Sequence, residues 1–324
     1  MPRRSTINDY GYIPDDGYIP DDMMPESAAV FDSLAGKYGG AGTPSIVTWD
    51  SFRPEVERMA VEFEAMSRNG YDIFWWKIAE HLGIPVWESF QSRLGSCAGW
   101  SAGNGYMVSS LHQIFLGALQ FERINPVAMW YLTKNWSSSG GQSMSNVMMG
   151  GNKYGNFPSR IVGVDPINVD RATVLNAAPE AARLQIGAAR LPGRGKALAD
   201  AIVLCLQARR PVCIGNNVAV SGAKINAKGL RQATLGGSWS HATLFDSYVA
   251  DDEIFVGWLN SHGNRYSGSD RFGKPTNGCW MNGSQLIQFC SGRYVDAFVI
   301  IYSESPVDLL RKNLAPLPVY LRRT

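Results

Sequence analysis

The first half of the chain carries apolar residues at helical spacing. Between positions 54 and 67 they recur on one face, which predicts an amphipathic helix: Val56, Met59, Ala60, Phe63 and Met66. A second helical piece is predicted over 73–79, and its paired tryptophans, Trp75 and Trp76, are expected to pack in the core. A longer helix is predicted from Cys97 to about Leu119.

The second half has a different pattern. After Pro166 one helix is predicted over 197–208, and the rest is rich in Gly, Asn, Ser and residues that favour strands. Short apolar runs bounded by turn residues predict four strands, at 211–215, 242–245, 254–259 and 297–302. A helical half therefore precedes a β-rich half, and a cleft between two such lobes is a favoured place for a binding site.

Composition narrows the class of protein. The chain has 324 residues, 45% of them hydrophobic, and a formal net charge of +2, which gives no general reason to expect a nucleic-acid partner. No apolar run is long enough to span a membrane. The five cysteines form no C-x-x-C pair, so neither a zinc site nor a complete disulfide framework is predicted, and no cofactor is expected.

The first 45 residues are rich in Pro, Gly, Asp and Tyr and contain the tandem repeat GYIPDD-GYIPDD over 11–22. Its Tyr-Ile-Pro anchors suit an extended arm that docks on another protein or subunit, and the alternative is a disordered tail. Because Met1-Pro2-Arg3-Arg4-Ser5 does not lead into an apolar run, we expect no export by a cleaved signal and a cytoplasmic or particle-packaged protein.

Cys97 is the candidate nucleophile. The turn Gly95-Ser96 delivers it to the start of the predicted helix, where the positive end of the helix dipole favours a thiolate. Gln91, upstream, can donate a hydrogen bond to the oxyanion that forms when a thiolate attacks a carbonyl. The alternative is that Cys97 only fills the core, as free cysteines often do.

Two of the four histidines, His81 and His112, lie on predicted helices among apolar neighbours, and a structural role is expected for both. His241 instead stands at the mouth of a predicted strand, and Asn260 ends the next strand. Adjacent antiparallel strands would place these two side by side. A thiol, an imidazole that takes its proton and an amide that orients the imidazole are what nucleophilic cysteine catalysis requires.

Four segments over residues 91–263 resemble, in order, those of the papain-like cysteine peptidases: Gln91 with Gly95-Ser96-Cys97, Gly140-Gly141 before a short helix, Ser240-His241-Ala242, and Asn260-Ser261-His262-Gly263. The resemblance implies an α+β, papain-like two-lobe fold. In that fold the helical N-terminal lobe contains the central Cys-bearing helix, the C-terminal lobe is β-rich and barrel-like, and a peptide or protein substrate lies in the cleft between them.

The resemblance also implies roles. Cys97 would be the nucleophile, His241 the general base and then acid, Asn260 the orienting residue, and Gln91 with the Cys97 N–H the oxyanion hole. Substrate binding would fall to Gly140 and Gly141, which pair with an extended backbone, and to Ser240. Trp239, Met144 and Trp280 are candidates to line side-chain pockets.

Three positions depart from the family's pattern. Ala98 replaces a large aromatic residue, Leu94 stands where a disulfide cysteine is common, and His262 replaces the tryptophan that shields the His-Asn hydrogen bond. The chain divides into an arm (1–45), a helical extension (46–90), a helical lobe (91–165), a β-rich lobe (166–305) and a tail (306–324).

Two functions follow as hypotheses. The first is a thiol peptidase that cleaves peptide or related amide bonds. The second is a papain-like fold used as a structural or assembly protein, for example in a virion, which the tandem-repeat arm, Ala98 and His262 favour. Retention of all four proposed catalytic residues favours the first, since a scaffold needs none of them.

Overall fold

The computed structural model describes residues 48–68, 74–87, 89–91, 94–115, 121–134, 136, 140–164, 169–184, 187–250 and 252–301. The tandem repeat and the tail from 306 onward lie outside these residues, so their predicted roles stay predictions. The division into five regions likewise stays a prediction. Among the described helices, none combines the length and apolar character needed to cross a bilayer.

Helices dominate the described chain up to residue 184. They are α1 (Trp49–Arg68), α2 (Trp75–His81), α3 (Cys97–Phe115), α4 (Pro126–Thr133), α5 (Met144–Tyr154), α6 (Ser159–Val162), α7 (Arg171–Asn176) and α8 (Ala178–Ala181), followed by a 3-10 turn (Ala182–Leu184). Side chains cap the beginnings of several of them. The Asn125 amide oxygen accepts from two backbone N–H groups of α4 and Pro126 follows it, while Ser143 caps α5.

The described residues from 187 to 301 contain one sheet and two helices. The strands are β1 (Gly187–Arg190), β2 (Val212–Ile225), β3 (Arg231–Ala250), β4 (Ile254–Leu259), β5 (Gly278–Asn282) and β6 (Val295–Ile301), and the helices are α9 (Gly195–Gln207) and α10 (Gly283–Cys290). The strand order is β1-β6-β2-β3-β4-β5, with antiparallel neighbours throughout. β3 also reaches β5 through Gln232 and Trp280, so the long strand curls the sheet toward closure.

The α+β prediction is confirmed, with helices first and sheet second. Strand β4 matches its predicted range, whereas β2 and β3 run far beyond theirs because the two form a long hairpin. Trp75 and Trp76 are buried, as predicted. His112 is buried on α3, whereas His81 is exposed at the end of α2, so the structural role expected for His81 stays a prediction.

Helix α3 packs along strand β3. The Ser101 hydroxyl donates to the Thr243 carbonyl, and the Cys213 thiol donates to the Ser101 carbonyl at 3.3 Å. One turn later, a Cβ added at Gly105 would lie 2.9 Å from Cys213 Sγ and 3.4 Å from Leu244 Cδ1. Helix α3 and strand β3 therefore run in the same direction. This sets where the first residues of α3 lie along β3.

A buried ion pair fastens α2 to the sheet. Asp246 sits at a bulge of β3, between the pairs Phe245↔Trp258 and Ser247↔Gly257, and a bulge re-aims the side chain of its extra residue. The Asp246 carboxylate accepts from Lys274 Nζ at 2.7 and 2.9 Å and from Trp75 Nε1 at 2.7 Å. The Lys274 ammonium also lies 4.8 Å and 5.0 Å from the centroids of two indole rings, those of Trp76 and Trp280.

Candidate active site

The segment that carries Gln91 is bound to the one that follows β4. The Gln91 N–H donates to the Ser261 carbonyl at 2.8 Å, and the Gly263 N–H donates to the Ser89 carbonyl at 2.7 Å. The Ser261 hydroxyl donates to Gln91 Oε1 at 2.5 Å, while Gln91 Nε2 donates to the Leu94 carbonyl at 3.2 Å. An amide nitrogen carries two hydrogens, so Gln91 has a second one for another acceptor.

Cys97 is the first residue of α3, as the sequence predicts, and its side chain is 0% exposed. The contact between α3 and β3 relates it to His241. Ser101 bonds Thr243, and one helical turn before Ser101 is Cys97, whereas two strand residues before Thr243 is His241. The thiol and the imidazole therefore lie toward the same end of the helix–strand contact.

His241 and Asn260 form the predicted pair. His241 Nε2 lies 2.8 Å from Asn260 Oδ1, which also accepts from the Ser261 N–H at 2.8 Å. An amide oxygen that accepts a ring hydrogen bond assigns the hydrogen of the neutral imidazole to Nε2, so Nδ1 keeps the basic lone pair. The Asn260 backbone N–H donates to the Asn277 carbonyl at 2.9 Å, and this bond helps to fix the position of Asn260.

Two aromatic rings enclose the His241 imidazole. The His262 ring stacks on it with centroids 4.2 Å apart and planes 28° apart, and the Trp239 ring lies 4.6 Å away at 59°. His241 is 2% exposed and His262 is 5% exposed. His262 Nδ1 lies 3.5 Å from a guanidinium nitrogen of Arg265. His262 therefore covers one face of the His241 ring.

Burial governs the protonation of both rings. It lowers the pKa of His241 to about 4, against a smaller raising effect of the Asn260 hydrogen bond and with a further lowering by Arg265. Burial, then His241 and Arg265, hold the pKa of His262 well below 6.5. Near neutral pH both rings are neutral, and neutral His241 can take a proton.

All five cysteines are buried, and none of them is in a disulfide. Burial raises the pKa of Cys213, Cys279 and Cys290 to about 12, and it raises that of Cys205 still further. These four thiols are therefore protonated at neutral pH. Among the described residues, no three His, Cys, Asp or Glu side chains lie close enough together to hold a metal ion.

The predicted substrate-binding residues differ in their placement. Gly140 and Gly141 lie directly against the turn that precedes Cys97, since a Cβ added at Gly95 would be 2.8 Å from the Gly140 carbonyl oxygen. Ser240 is half-buried beside His241 on β3. Trp239 is also half-buried there.

Two candidates for pocket lining are wrong. Met144 and Trp280 are both 0% exposed, and Trp280 packs on Lys274 in the ion-pair cluster instead of facing a cleft. A cleft of about 570 Å³ lies elsewhere, between α2 with its following loop and residues 264–277, and none of the predicted site residues lines it.

Sequence reasoning missed two partners of the site. Ser261, which binds Gln91, and Tyr266, whose hydroxyl lies 3.4 Å from Asn260 Nδ2, become partners only through the path of the chain after β4. The resemblance already placed His262 beside the His-Asn pair, and the strand register agrees with its stack on His241. Leu244 pairs with Leu259, and continuing that register three residues along each strand brings His241 opposite His262.

No family model and no curated protein matches the chain. Among solved structures it is similar to xylellain, a cysteine protease from Xylella fastidiosa, at 17% identity and a TM-score of 0.48, over 68% of this chain and 84% of that one. It is similar to the bromelain protease from Ananas comosus at 17% identity and a TM-score of 0.47, over 71% and 98%. It is similar to the Carica candamarcensis cysteine protease CMS1MS2 at 17% identity and a TM-score of 0.47, over 72% and 98%. Likenesses at this level assign neither a family nor an activity.

Proposed function

We propose that the protein is a thiol peptidase acting on peptide or related amide bonds. The observation that carries the proposal is the hydrogen bond of 2.8 Å between His241 Nε2 and Asn260 Oδ1, at the same end of the α3–β3 contact as Cys97. It supports a base whose free nitrogen is Nδ1 and whose orientation is fixed by an amide. Gln91, bound through Ser261 to the segment that carries Asn260, supplies the oxyanion donor.

Each group has one step in the mechanism. His241 Nδ1 takes the proton of the Cys97 thiol as sulfur bonds to the substrate carbonyl carbon, and the carbonyl oxygen gains negative charge. Gln91 Nε2 and the Cys97 N–H donate to that oxygen. When the tetrahedral intermediate collapses, the C–N bond breaks and His241 gives its proton to the leaving amine.

Water completes the cycle. His241 takes a proton from water as its oxygen attacks the thioester carbonyl, the C–S bond breaks, and the proton returns to the Cys97 sulfur. The products are a carboxylic acid and an amine, and the enzyme regains its starting protonation. Asn260 acts throughout by holding the ring, and His262 by keeping water from the His241–Asn260 bond.

A second candidate function is a structural or assembly protein that retains the same constellation without turnover. The observation that favours it is that the Cys97 and His241 side chains are both enclosed, at 0% and 2% exposure. In that case the thiol would not react preferentially. The two functions therefore differ in a measurable property of one side chain.

The test is site-resolved labelling with iodoacetamide at pH 7, read by peptide mass mapping, together with cleavage of a proteome-derived peptide library. We expect Cys97 to be alkylated at least about tenfold faster than the other four thiols, because a thiolate is the reacting species. Cys97→Ser should abolish cleavage. Cys213→Ser is the matched control, since Cys213 is also buried in the α3–β3 contact, and it should preserve both properties. Equal slow labelling of all five thiols, or cleavage by Cys97→Ser, would overturn the peptidase proposal in favour of the assembly function.

A further inference from the structure

The diglycine segment, Gly140 and Gly141, is held on two sides by main-chain and side-chain contacts. The Gly140 backbone has a φ of +67°, a conformation that glycine adopts without strain. Its carbonyl lies so close to the nucleophile turn that a Cβ at Gly95 would be 2.8 Å from the oxygen and 3.3 Å from Gly141 Cα. Only a glycine at 95 permits this approach, so the position of the segment relative to Cys97 is set by direct backbone packing.

The same Gly140 carbonyl accepts from Lys134 Nζ at 2.7 Å. Lys134 follows the last residue of α4, and its ammonium lies 4.7 Å from the centroid of the Trp130 ring, one turn earlier on that helix. The lysine thus links the end of α4 to the diglycine segment. A charge-assisted hydrogen bond fixes the direction of the carbonyl more firmly than a neutral one does.

The residue after the segment is tied to the same end of α4. Gln142 is 2% exposed, and its Nε2 donates to the Thr133 carbonyl at 3.2 Å and to the Thr133 hydroxyl at 3.3 Å. Gln142 Oε1 accepts from the Ser143 N–H and from Asn146 Nδ2, at 3.1 and 3.0 Å. Each polar atom of this buried amide has a partner, which makes the anchor rigid.

We infer that Lys134 is a positioning residue for substrate: together with Gln142 it uses the end of α4 to hold the diglycine segment where an extended peptide backbone pairs with it. The inference rests on the proposed function and deepens it. The ligand class is a peptide that continues on the acyl side of the scissile bond, because strand-like pairing needs a main chain beyond the reacting carbonyl. Lys134 touches neither substrate nor Cys97 in this role and acts only through Gly140.

The test compares two substrates of one sequence, a peptide cleaved by the wild type and the same peptide shortened to a single residue before the scissile bond. For Lys134→Met we expect KM for the long substrate to rise about three- to tenfold with kcat unchanged, because binding common to ground and transition states is lost. KM for the short substrate should not change. Lys134→Arg, which keeps a cationic donor, should restore most of the affinity.

Lys153→Met is the matched control, since Lys153 also lies over an aromatic ring, that of Tyr154 on α5. It should leave both substrates unaffected. An equal rise of KM for the long and short substrates, or a Lys134→Met enzyme identical to the wild type, overturns the inference. The labelling rate of Cys97 separates the two proposals: a reactive Cys97 with no effect of Lys134→Met rejects only the positioning role, whereas an unreactive Cys97 rejects the peptidase proposal itself.

Discussion

His241 and Asp246 are two buried polar residues on strand β3 that lie five positions apart and have opposite surroundings. Asp246 receives hydrogen bonds from Lys274, Trp75 and Ser247, so its charge is matched on every side. His241 has one amide partner, two aromatic neighbours, and a cation, Arg265, that opposes its protonation. Asp246 is fully partnered. His241 is neutral, and its Nδ1 lone pair is available to accept a proton.

The difference separates the two tasks of a buried polar group. A fully partnered ion pair fixes elements relative to one another, and removing one partner leaves an uncompensated charge. An incompletely partnered imidazole costs stability but keeps a proton acceptor ready, which is what a base requires. On this view the Asp246 cluster holds the scaffold rigid so that His241 can remain reactive.

The largest effect is expected from breaking the ion pair. Lys274→Met leaves Asp246 charged and buried, and the free energy of unfolding should fall by about 3–5 kcal/mol. The measurement is urea unfolding followed by tryptophan fluorescence. The double variant Asp246→Asn with Lys274→Met should lose less than the single one, because no charge is left unpaired. Lys77→Met is the matched control, because Lys77 pairs with Glu80 at 3.3 Å on the surface and should cost under about 1 kcal/mol. A loss from Lys274→Met no greater than that of the control would contradict the comparison.

A smaller effect, on activity and not on stability, is expected when the partner of His241 is changed. Asn260→Ala removes the acceptor that orients His241, and kcat/KM should fall about ten- to hundredfold, as expected for a hydrogen bond worth about 1.5–3 kcal/mol in the transition state. Asn260→Asp keeps an acceptor and adds a negative charge, which raises the pKa of His241 above about 4. The acid limb of the rate profile should therefore move to higher pH. An unmoved acid limb would show that Asn260 does not act on His241.

The smallest effect is expected on the pH dependence of the free energy of unfolding, which comes from buried histidines that stay neutral. Burial lowers the pKa of His112 to about 3 and of His241 to about 4, and it holds that of His262 well below 6.5. As pH falls below about 6.5, these histidines become protonated in the unfolded chain but stay neutral in the native protein. The free energy of unfolding therefore declines as pH falls toward about 4. In that window His112 and His241 each contribute up to about 1.4 kcal/mol per pH unit, and His262 contributes in the same direction.

His262→Phe keeps a ring on His241 and removes one of these contributions. The slope of unfolding free energy against pH, from denaturant titrations between pH 6.5 and pH 4, should therefore become shallower than in the wild type. The comparison is with His81→Phe, which changes the exposed histidine on α2. An equal change of slope in the two variants would refute the account of the stack.

Local sequence patterns predicted most features that depend on one helix or strand, or on two neighbouring strands. The start of α3 at Cys97, the range of β4 and the pairing of His241 with Asn260 follow from capping, alternation and strand adjacency, which are short-range properties. The α+β class follows from the same patterns. The burial of Trp75 and Trp76 was predicted too, although their polar partners were not.

What sequence could not predict depends on contacts between distant segments. The bulge that turns Asp246 toward Lys274 leaves no local signature, and without it the alternation of β3 would assign Asp246 no partner. The exposure of His81 depends on which face of α2 meets the sheet. No sequence pattern singled out Lys134, because its acceptor, the Gly140 carbonyl, becomes a neighbour only in the folded chain.

The hydrogen bond between Ser261 and Gln91 joins residues 170 positions apart, and His241 and Asn260 lie late in the chain as well. During synthesis, helix α3 and its thiol leave the ribosome long before the residues that would activate them. A nascent chain that ends before His241 thus carries Cys97 without the proposed base, the proposed orienting amide or the anchor of the proposed oxyanion donor. Under the proposed function, the order of the chain would delay reactivity of the thiol until most of the sheet has been synthesised.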